Sequence, residues 1–224
     1  MAPTIVIASD HPGTRTLVSA VRQAQPKANV VEASSFKSAA EAVRRQRPEL
    51  VLVDLDLTDG GGFASLVTVK QMRANARVLA LGWHEEPSLV QRARWFGAQG
   101  FLTWSAPPLL VRTTLARTLA GEECWLADAY KPLAEEEEPL PDVMTVARQL
   151  ATLTPAQMRV LLGLNAGLLN KQIAYEMSIT EATVKAHLTA VFRKLGVKNR
   201  QEAARIARTL LVSTPFNNNG AGHG

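Results

Sequence analysis

One cysteine, Cys124, is present in 224 residues. That excludes an intramolecular disulfide and a thiolate metal cluster, and it suits a reducing cytoplasm. Long hydrophobic runs are missing too: none approaches the roughly 18 uninterrupted apolar residues of a membrane helix. The first residues, MAPTIVIASDHPG, lack a basic stretch leading into a long apolar one, so neither export nor membrane insertion is expected. Aromatic residues are only 5% of the chain, which removes the anchors expected of a membrane-surface helix. No internal repeat is visible. What remains, 46% hydrophobic and 20% charged residues, is the composition of a globular chain of one or two domains.

Charge is divided unevenly along the chain. Residues 1–145 hold 15 Lys/Arg against 17 Asp/Glu, a balance of −2, whereas residues 146–224 hold 10 against 3, a balance of +7. A basic C-terminal half beside a slightly acidic N-terminal half is the pattern of a polyanion-binding module attached to a regulatory one.

The N-terminal half alternates short β-rich runs with helical segments. Thr4–Ser9, Asn29–Ala33, Leu50–Leu55, Arg77–Leu81 and Gly100–Trp104 read as strands, with Pro and Gly at the joints. Five βα units imply an α/β doubly wound, five-stranded parallel sheet covered on both faces. Residues 1–121 form this domain, and 122–145, with the run Glu135-Glu136-Glu137-Glu138-Pro139-Leu140-Pro141, read as an acidic linker. A helix from about Val143 to Leu150 opens a second, all-α domain over 146–212, and the Asn- and Gly-rich residues 213–224 read as a disordered tail. Asp10 and Asp54 end the first and third strands. With strand order 2-1-3-4-5 they meet at the topological switch point, where such folds bind ligands.

In the second domain Ile173, Ala174 and Met177 fall at helical spacing, Ser178-Ile179-Thr180 break the pattern, and Val184, Leu188, Val191 and Leu195 resume it. Two amphipathic helices joined by a tight turn result, the second capped by Thr180 and stapled by Ile179 onto Val184. Its apolar stripe turns Glu181, Ala182, Lys185, Ala186, Thr189 and Arg193 outward. Short side chains with a few long donors are what a helix entering the DNA major groove requires. Thr183, His187 and Lys194 lie along one flank, toward the sugar-phosphate wall.

Residues 153–208 resemble the LuxR-type helix-turn-helix at the C-terminus of NarL/FixJ-type response regulators. Leu153-Thr154-Pro155, Gly167, Asn170-Lys171-Gln172-Ile173-Ala174, Thr183-Val184-Lys185, His187, Lys194-Leu195-Gly196-Val197 and Asn199-Arg200 carry the likeness. The resemblance implies a four-helix DNA-binding domain in which Asn170 belongs to the DNA-binding set and Lys171, Thr183, His187, Lys194 and Arg200 lie near phosphates. Lys185, Ala186 and Thr189 would then face bases. The last helix, with Ala203, Ala204, Ala207 and Leu211, would pair two copies as a homodimer on duplex promoter DNA. Gln157 replaces a usual acid, and Thr189 stands where some relatives carry a basic reader.

The first half resembles the receiver (flavodoxin-like) domain of response regulators, through Ser9-Asp10-His11-Pro12, Pro48–Leu55 and Gly97–Leu102. That resemblance implies Asp54 as the residue a sensor kinase phosphorylates, with Asp10, Asp54 and the Asp56 carbonyl around Mg2+. RNA polymerase at the promoter is a further implied partner, and another protein or a ligand is the alternative effector of the receiver. The pocket departs from the pattern at Ser9 in place of an acid, Thr58 in place of Pro, Gly82 in place of Thr or Ser and Trp104 in place of Lys. Losing a carboxylate weakens cation binding, and losing the lysine removes the charge that pairs with an aspartyl phosphate. Weak or absent phosphorylation switching is expected, with no required cofactor. Trp104, beside Trp83 and Phe101, is expected to fill the vacated space. Residues 51–58, VLVDLDLT, also match the hhhDxDxT nucleophile motif of haloacid-dehalogenase-type phosphohydrolases. There, however, the motif sits on an early strand with a downstream acidic pair, so no enzyme is expected.

Overall fold

The computed structural model describes residues 2–57, 59, 62–83, 86–125 and 141–208, with side chains from 145 onward in the last span. Thr58, Leu211, most of the expected linker and the expected tail lie outside the described residues.

Five strands, β1 (Thr4–Ala8), β2 (Asn29–Ala33), β3 (Leu50–Asp54), β4 (Arg77–Gly82) and β5 (Gly100–Thr103), form one parallel sheet in the order β2-β1-β3-β4-β5. The expected strands are present, with ends shifted by no more than one residue. β3 is buried at every position because helices cover both faces of the sheet. On one face α1 (Thr14–Ala24) and α5 (Pro108–Ala120) close over Ile5, Ile7, Leu52, Leu81 and Leu102. On the other, α2 (Phe36–Gln46), α3 (Phe63–Met72) and α4 (Pro87–Trp95) close over Val6, Val51, Val53, Val78 and Ala80.

Every residue of α3 from Phe63 to Val69 is buried. Its inner side meets the sheet, and its outer side meets the helical half, so its sequence has no polar face to give to water. The helical half begins with α6 (Pro141–Ala151), two residues earlier than expected, and continues through α7 (Pro155–Asn165), α8 (Asn170–Met177), α9 (Glu181–Leu195) and α10 (Arg200–Arg208). α3 packs on α6 and α7. The Gln71 side-chain amide at the end of α3 donates to the carbonyls of Leu150 (2.9 Å) and Ala151 (3.1 Å). These carbonyls belong to the last turn of α6, where a helix leaves acceptors unmet.

The first residues assigned to the linker are held on the sheet. Cys124 pairs with Gly100 at the free edge of β5, its N–H donating to the Gln99 carbonyl at 2.7 Å. A Cβ on Gly100 would stand 2.6 Å from the Cys124 carbonyl oxygen, so this approach requires glycine. Arg94 and Arg117 form ion pairs with Glu123 and Glu122. Among the described residues no helix is long and apolar enough to cross a membrane.

Candidate DNA interface and receiver pocket

In the helical half, the turn between α8 and α9 is built by two devices. Ser178 takes the left-handed conformation (φ 55°) at the C-terminus of α8, and the Ser178 and Ile179 N–H groups donate back to Tyr175 and Ala174. Thr180 then caps α9, its hydroxyl accepting the Thr183 N–H at 3.1 Å. Val184, Leu188, Val191 and Leu195 are buried, as their spacing requires. Glu181, Ala182, Lys185, Ala186, Thr189 and Arg193 are exposed, while Thr183 and His187 are half-buried. Lys171 is exposed on α8. The Thr189 hydroxyl is turned back onto the Lys185 carbonyl at 3.0 Å.

Two residues expected near phosphates, Lys194 and Arg200, are tied into the domain by hydrogen bonds. Lys194 Nζ donates to the Thr152 carbonyl (2.6 Å) and to Gln157 Oε1 (2.8 Å), clamping the end of α9 to the α6–α7 junction. Arg200 donates to the Leu168 carbonyl (2.5 Å) and to Asn170 Oδ1 (3.4 Å), fastening α10 to the start of α8. Gln157 also accepts the Thr154 N–H and completes a capping box on α7, so a neutral amide does the work of the usual acid. The dimer assignment changes for a similar reason. Ala203 and Ala207 are fully buried in their own domain, where α10 packs on α7, Ala204 is half-buried, and Leu211 lies outside the described residues. Gln201, Arg205 and Arg208 form the exposed side of α10. Leu169 and Tyr175, 68% and 87% exposed, add an apolar surface beside Lys171 that the sequence reading passed over.

At the C-terminal end of the sheet, Asp54 closes β3 and is buried. Ser9, also buried, follows β1 across the switch point and donates its hydroxyl to Asp54 Oδ2 at 2.7 Å. The Asp56 N–H donates to Oδ1 at 3.1 Å. Ser9 Oγ in turn accepts from the His11 N–H and the Thr14 hydroxyl. Burial raises the Asp54 carboxyl above the usual carboxylate range, the Ser9 and Asp56 bonds oppose that, and the charges of Asp56 and Asp10 add to it. Burial also raises Asp56, with His11 acting the other way. Asp10 itself is exposed.

The aromatic lid differs from the expected one. His11 lies stacked on Trp104 (centroids 4.2 Å apart) and edge-on to Trp83 (4.5 Å), and its Nδ1 accepts the Gly13 N–H. Phe101 is not part of it, because side chains alternate along β5 and Phe101 points to the opposite face of the sheet. There its ring occupies the space over Gly82, where a Cβ would fall 2.7 Å from Phe101 Cζ. His11, which has no chemical role evident in the sequence, is the residue that joins the two tryptophans.

The donor set fits Mg2+ poorly. Ser9 takes a carboxylate out of the shell and places a hydroxyl donor on Asp54 Oδ2, so a cation would have to displace that bond and meet one fewer negative charge. No three His, Cys, Asp or Glu side chains converge to hold a metal among the described residues.

A raised Asp54 has a stability consequence. Its protonated form is favoured by folding, so its contribution is fully present below the usual carboxylate range and is lost as pH rises through the folded-state value. An Asp54→Asn protein is therefore expected to be more stable than the parent at pH 7, by about 1 kcal/mol. The amide keeps the Asp56 N–H bond and donates its NH2 to Ser9 Oγ, once the Thr14 hydroxyl turns wholly to the His11 carbonyl it already reaches at 2.6 Å and the Ser9 hydroxyl turns to Thr14 Oγ1. Thermal melts across pH check this: the advantage should vanish in acid, and equal melting temperatures at pH 7 would contradict it.

Comparison with known proteins agrees with this geometry. The response regulator receiver domain matches residues 5–113, and the luxR family of bacterial regulatory proteins matches residues 151–207. The nitrate/nitrite response regulator protein NarL of Escherichia coli (strain K12) is 31% identical over 204 residues, covering 90% of this chain and 93% of that protein. The transcriptional activator protein ExaE of Pseudomonas putida is 32% identical over 206 residues, covering 91% of this chain and 94% of its own. The crystal structure of a LuxR-family two-component response regulator from Aurantimonas sp. SI85-9A1 is 27% identical with a TM-score of 0.52, covering 58% of this chain and 93% of its own. With a five-stranded receiver, a capped helix-turn-helix and likeness over nine-tenths of its length, the chain belongs to the LuxR family of bacterial regulatory proteins, as a response regulator and DNA-binding transcription regulator.

Proposed function

We propose that the outer face of α9 enters the major groove of promoter DNA, with Lys185, Ala186 and Thr189 toward the bases and Lys171 and Arg193 on phosphates. Two copies act together on neighbouring half-sites in the cytoplasm, where promoter DNA lies, and RNA polymerase is the machinery they address. The observation that carries this reading is the division of labour along α9. Lys185, Ala186, Thr189 and Arg193 are exposed, while Lys194 anchors the helix end from inside the domain.

The receiver governs the reader through packing, with little or no contribution from an aspartyl phosphate. Both Asp54 oxygens already accept hydrogen bonds, an aromatic stack stands where the lysine would neutralise a phosphoryl group, and Gly82 offers no hydroxyl. A phosphoryl group adds up to about two negative charges, yet it shifts a conformational equilibrium only through contacts that differ between states. A second reading is conventional control by a sensor kinase through Asp54. Its support is the place of Asp54, at the end of a central strand and beside the switch point. Intact-protein mass after incubation with acetyl phosphate and Mg2+ separates the two. No added mass, with DNA binding intact, is the expected result. A phosphoryl increment in the parent but not in Asp54→Asn, with tighter DNA binding, would establish kinase-type control instead.

A further inference from the structure

The C-termini of α2 and α3 converge on a shallow cleft of about 280 Å3 lined by Arg44, Arg47, Arg73 and Asn75. Arg44 sits in the last turn of α2, and Arg47, left-handed at φ 50°, ends that helix. Arg73 ends α3, its Nε donating to the Pro48 carbonyl at 3.0 Å. Arg44 and Arg47 are exposed. Among the described residues none of these arginines takes part in an ion pair. Two helix C-termini supply about half a negative charge each, which leaves roughly two of the three positive charges uncompensated. On a domain whose half of the chain is acidic by sequence, that surplus calls for an anionic ligand.

The position of the cleft indicates which one. Arg73 lies two residues beyond Gln71, whose side chain bonds to the Ala151 carbonyl, and the next residue, Thr152, accepts Lys194 Nζ at 2.6 Å. Lys194 is adjacent to Arg193 at the exposed end of α9. Short stretches of chain and two sets of hydrogen bonds, Gln71 to Leu150 and Ala151 and Lys194 to Thr152, thus connect the receiver's basic cleft to the end of the helix proposed to read DNA. Duplex DNA carries one negative charge per about 1.7 Å of axis, so a duplex seated on α9 presents phosphates to basic groups beside that helix end.

We infer that Arg44, Arg47 and Arg73 form an accessory phosphate-binding site on the receiver, which holds the DNA backbone flanking the sequence read by α9. The inference rests on the DNA-reading role proposed for α9. It makes the receiver part of the DNA interface, adding affinity without sequence preference. Arg73 supports the site from within, since its Pro48 bond fixes its direction, and Arg44 and Arg47 supply the removable contacts.

The test uses the full-length chain and a mixed-sequence 40-base-pair duplex, with affinity followed by fluorescence anisotropy from 50 to 200 mM salt. Each phosphate contact contributes about 0.9 to the slope of log affinity against log salt. Arg44→Gln with Arg47→Gln should flatten the slope by about two, so that the parent's advantage shrinks roughly tenfold over that range. Arg44→Lys with Arg47→Lys should keep the parental slope. An unchanged slope in the glutamine protein overturns the site, as does weaker binding with no change in slope. Lys171→Ala with Arg193→Ala serves as the control: if it and the parent bind equally, the reading of α9 fails, while the arginine result still decides whether the receiver touches DNA. Unaltered far-ultraviolet circular dichroism confirms that the exposed substitutions leave the fold intact.

Discussion

Replacing Lys185 and Arg193 together with alanine is expected to weaken binding to a duplex carrying the target site by about a hundredfold, roughly 1–2 kcal/mol for each long donor. Both residues are exposed on α9, on the side opposite Val184, Leu188 and Val191. Neither removal leaves a cavity, so the melting temperature should stay within a degree or two of the parent. Lys194→Ala should show the reverse pattern. Its ammonium bonds the Thr152 carbonyl and Gln157, and without it both acceptors lose a charged partner. Stability should fall by about 1–3 kcal/mol, while the salt dependence of DNA binding at low temperature is retained. Anisotropy titrations and melts on the two proteins decide the matter. A Lys194→Ala protein of normal stability with a flatter salt dependence would return that lysine to the phosphate backbone.

The second large effect is expected at Gly82→Thr, which restores the hydroxyl-bearing residue of the family pattern. Its Cβ would fall 2.7 Å from Phe101 Cζ, and Phe101 is only 3% exposed. In a packed interior the ring has no free space to enter, so the backbone or the ring must shift at a cost of about 2 kcal/mol. For a chain of this size that is a melting temperature lower by roughly 4–8 °C. Phe101→Leu added to Gly82→Thr should recover part of the loss, giving a favourable coupling in a double-mutant cycle. Independent, additive effects would mean that the ring and residue 82 do not compete for the same volume.

The sheet was readable because strands buried on both faces are written as short, nearly continuous aliphatic runs, and 50–54 is the extreme case. The helix-turn-helix was readable because the stripe from Val184 to Leu195 and the Thr180 cap are local in sequence. The roles of Lys194 and Arg200 were not. Their partners include the main-chain carbonyls of Thr152 and Leu168, 42 and 32 residues away, and a carbonyl has no side-chain signature to read. Phe101 was placed with Trp104 on sequence proximity, although strand alternation already separated positions 101 and 104. His11 lacked any sequence mark distinguishing a ring stacked on one tryptophan and edge-on to another from an ordinary loop imidazole. The second covering of α3 was present as a run, FASLVTV, without a polar side. Only the partner was unknown.

That covering bears on how regulators of this kind exchange parts. Since α3 contributes to the interior of both halves, the receiver and the reader share one wall. A reader grafted from another regulator would meet α3 with side chains shaped for a different neighbour, and a reader removed altogether would leave an apolar strip facing water. Swaps that transplant α6 and α7 together with the outward residues of α3 preserve the wall. A cut placed within the acidic stretch between the halves divides the chain at a permissive point in sequence, but it divides a single interior.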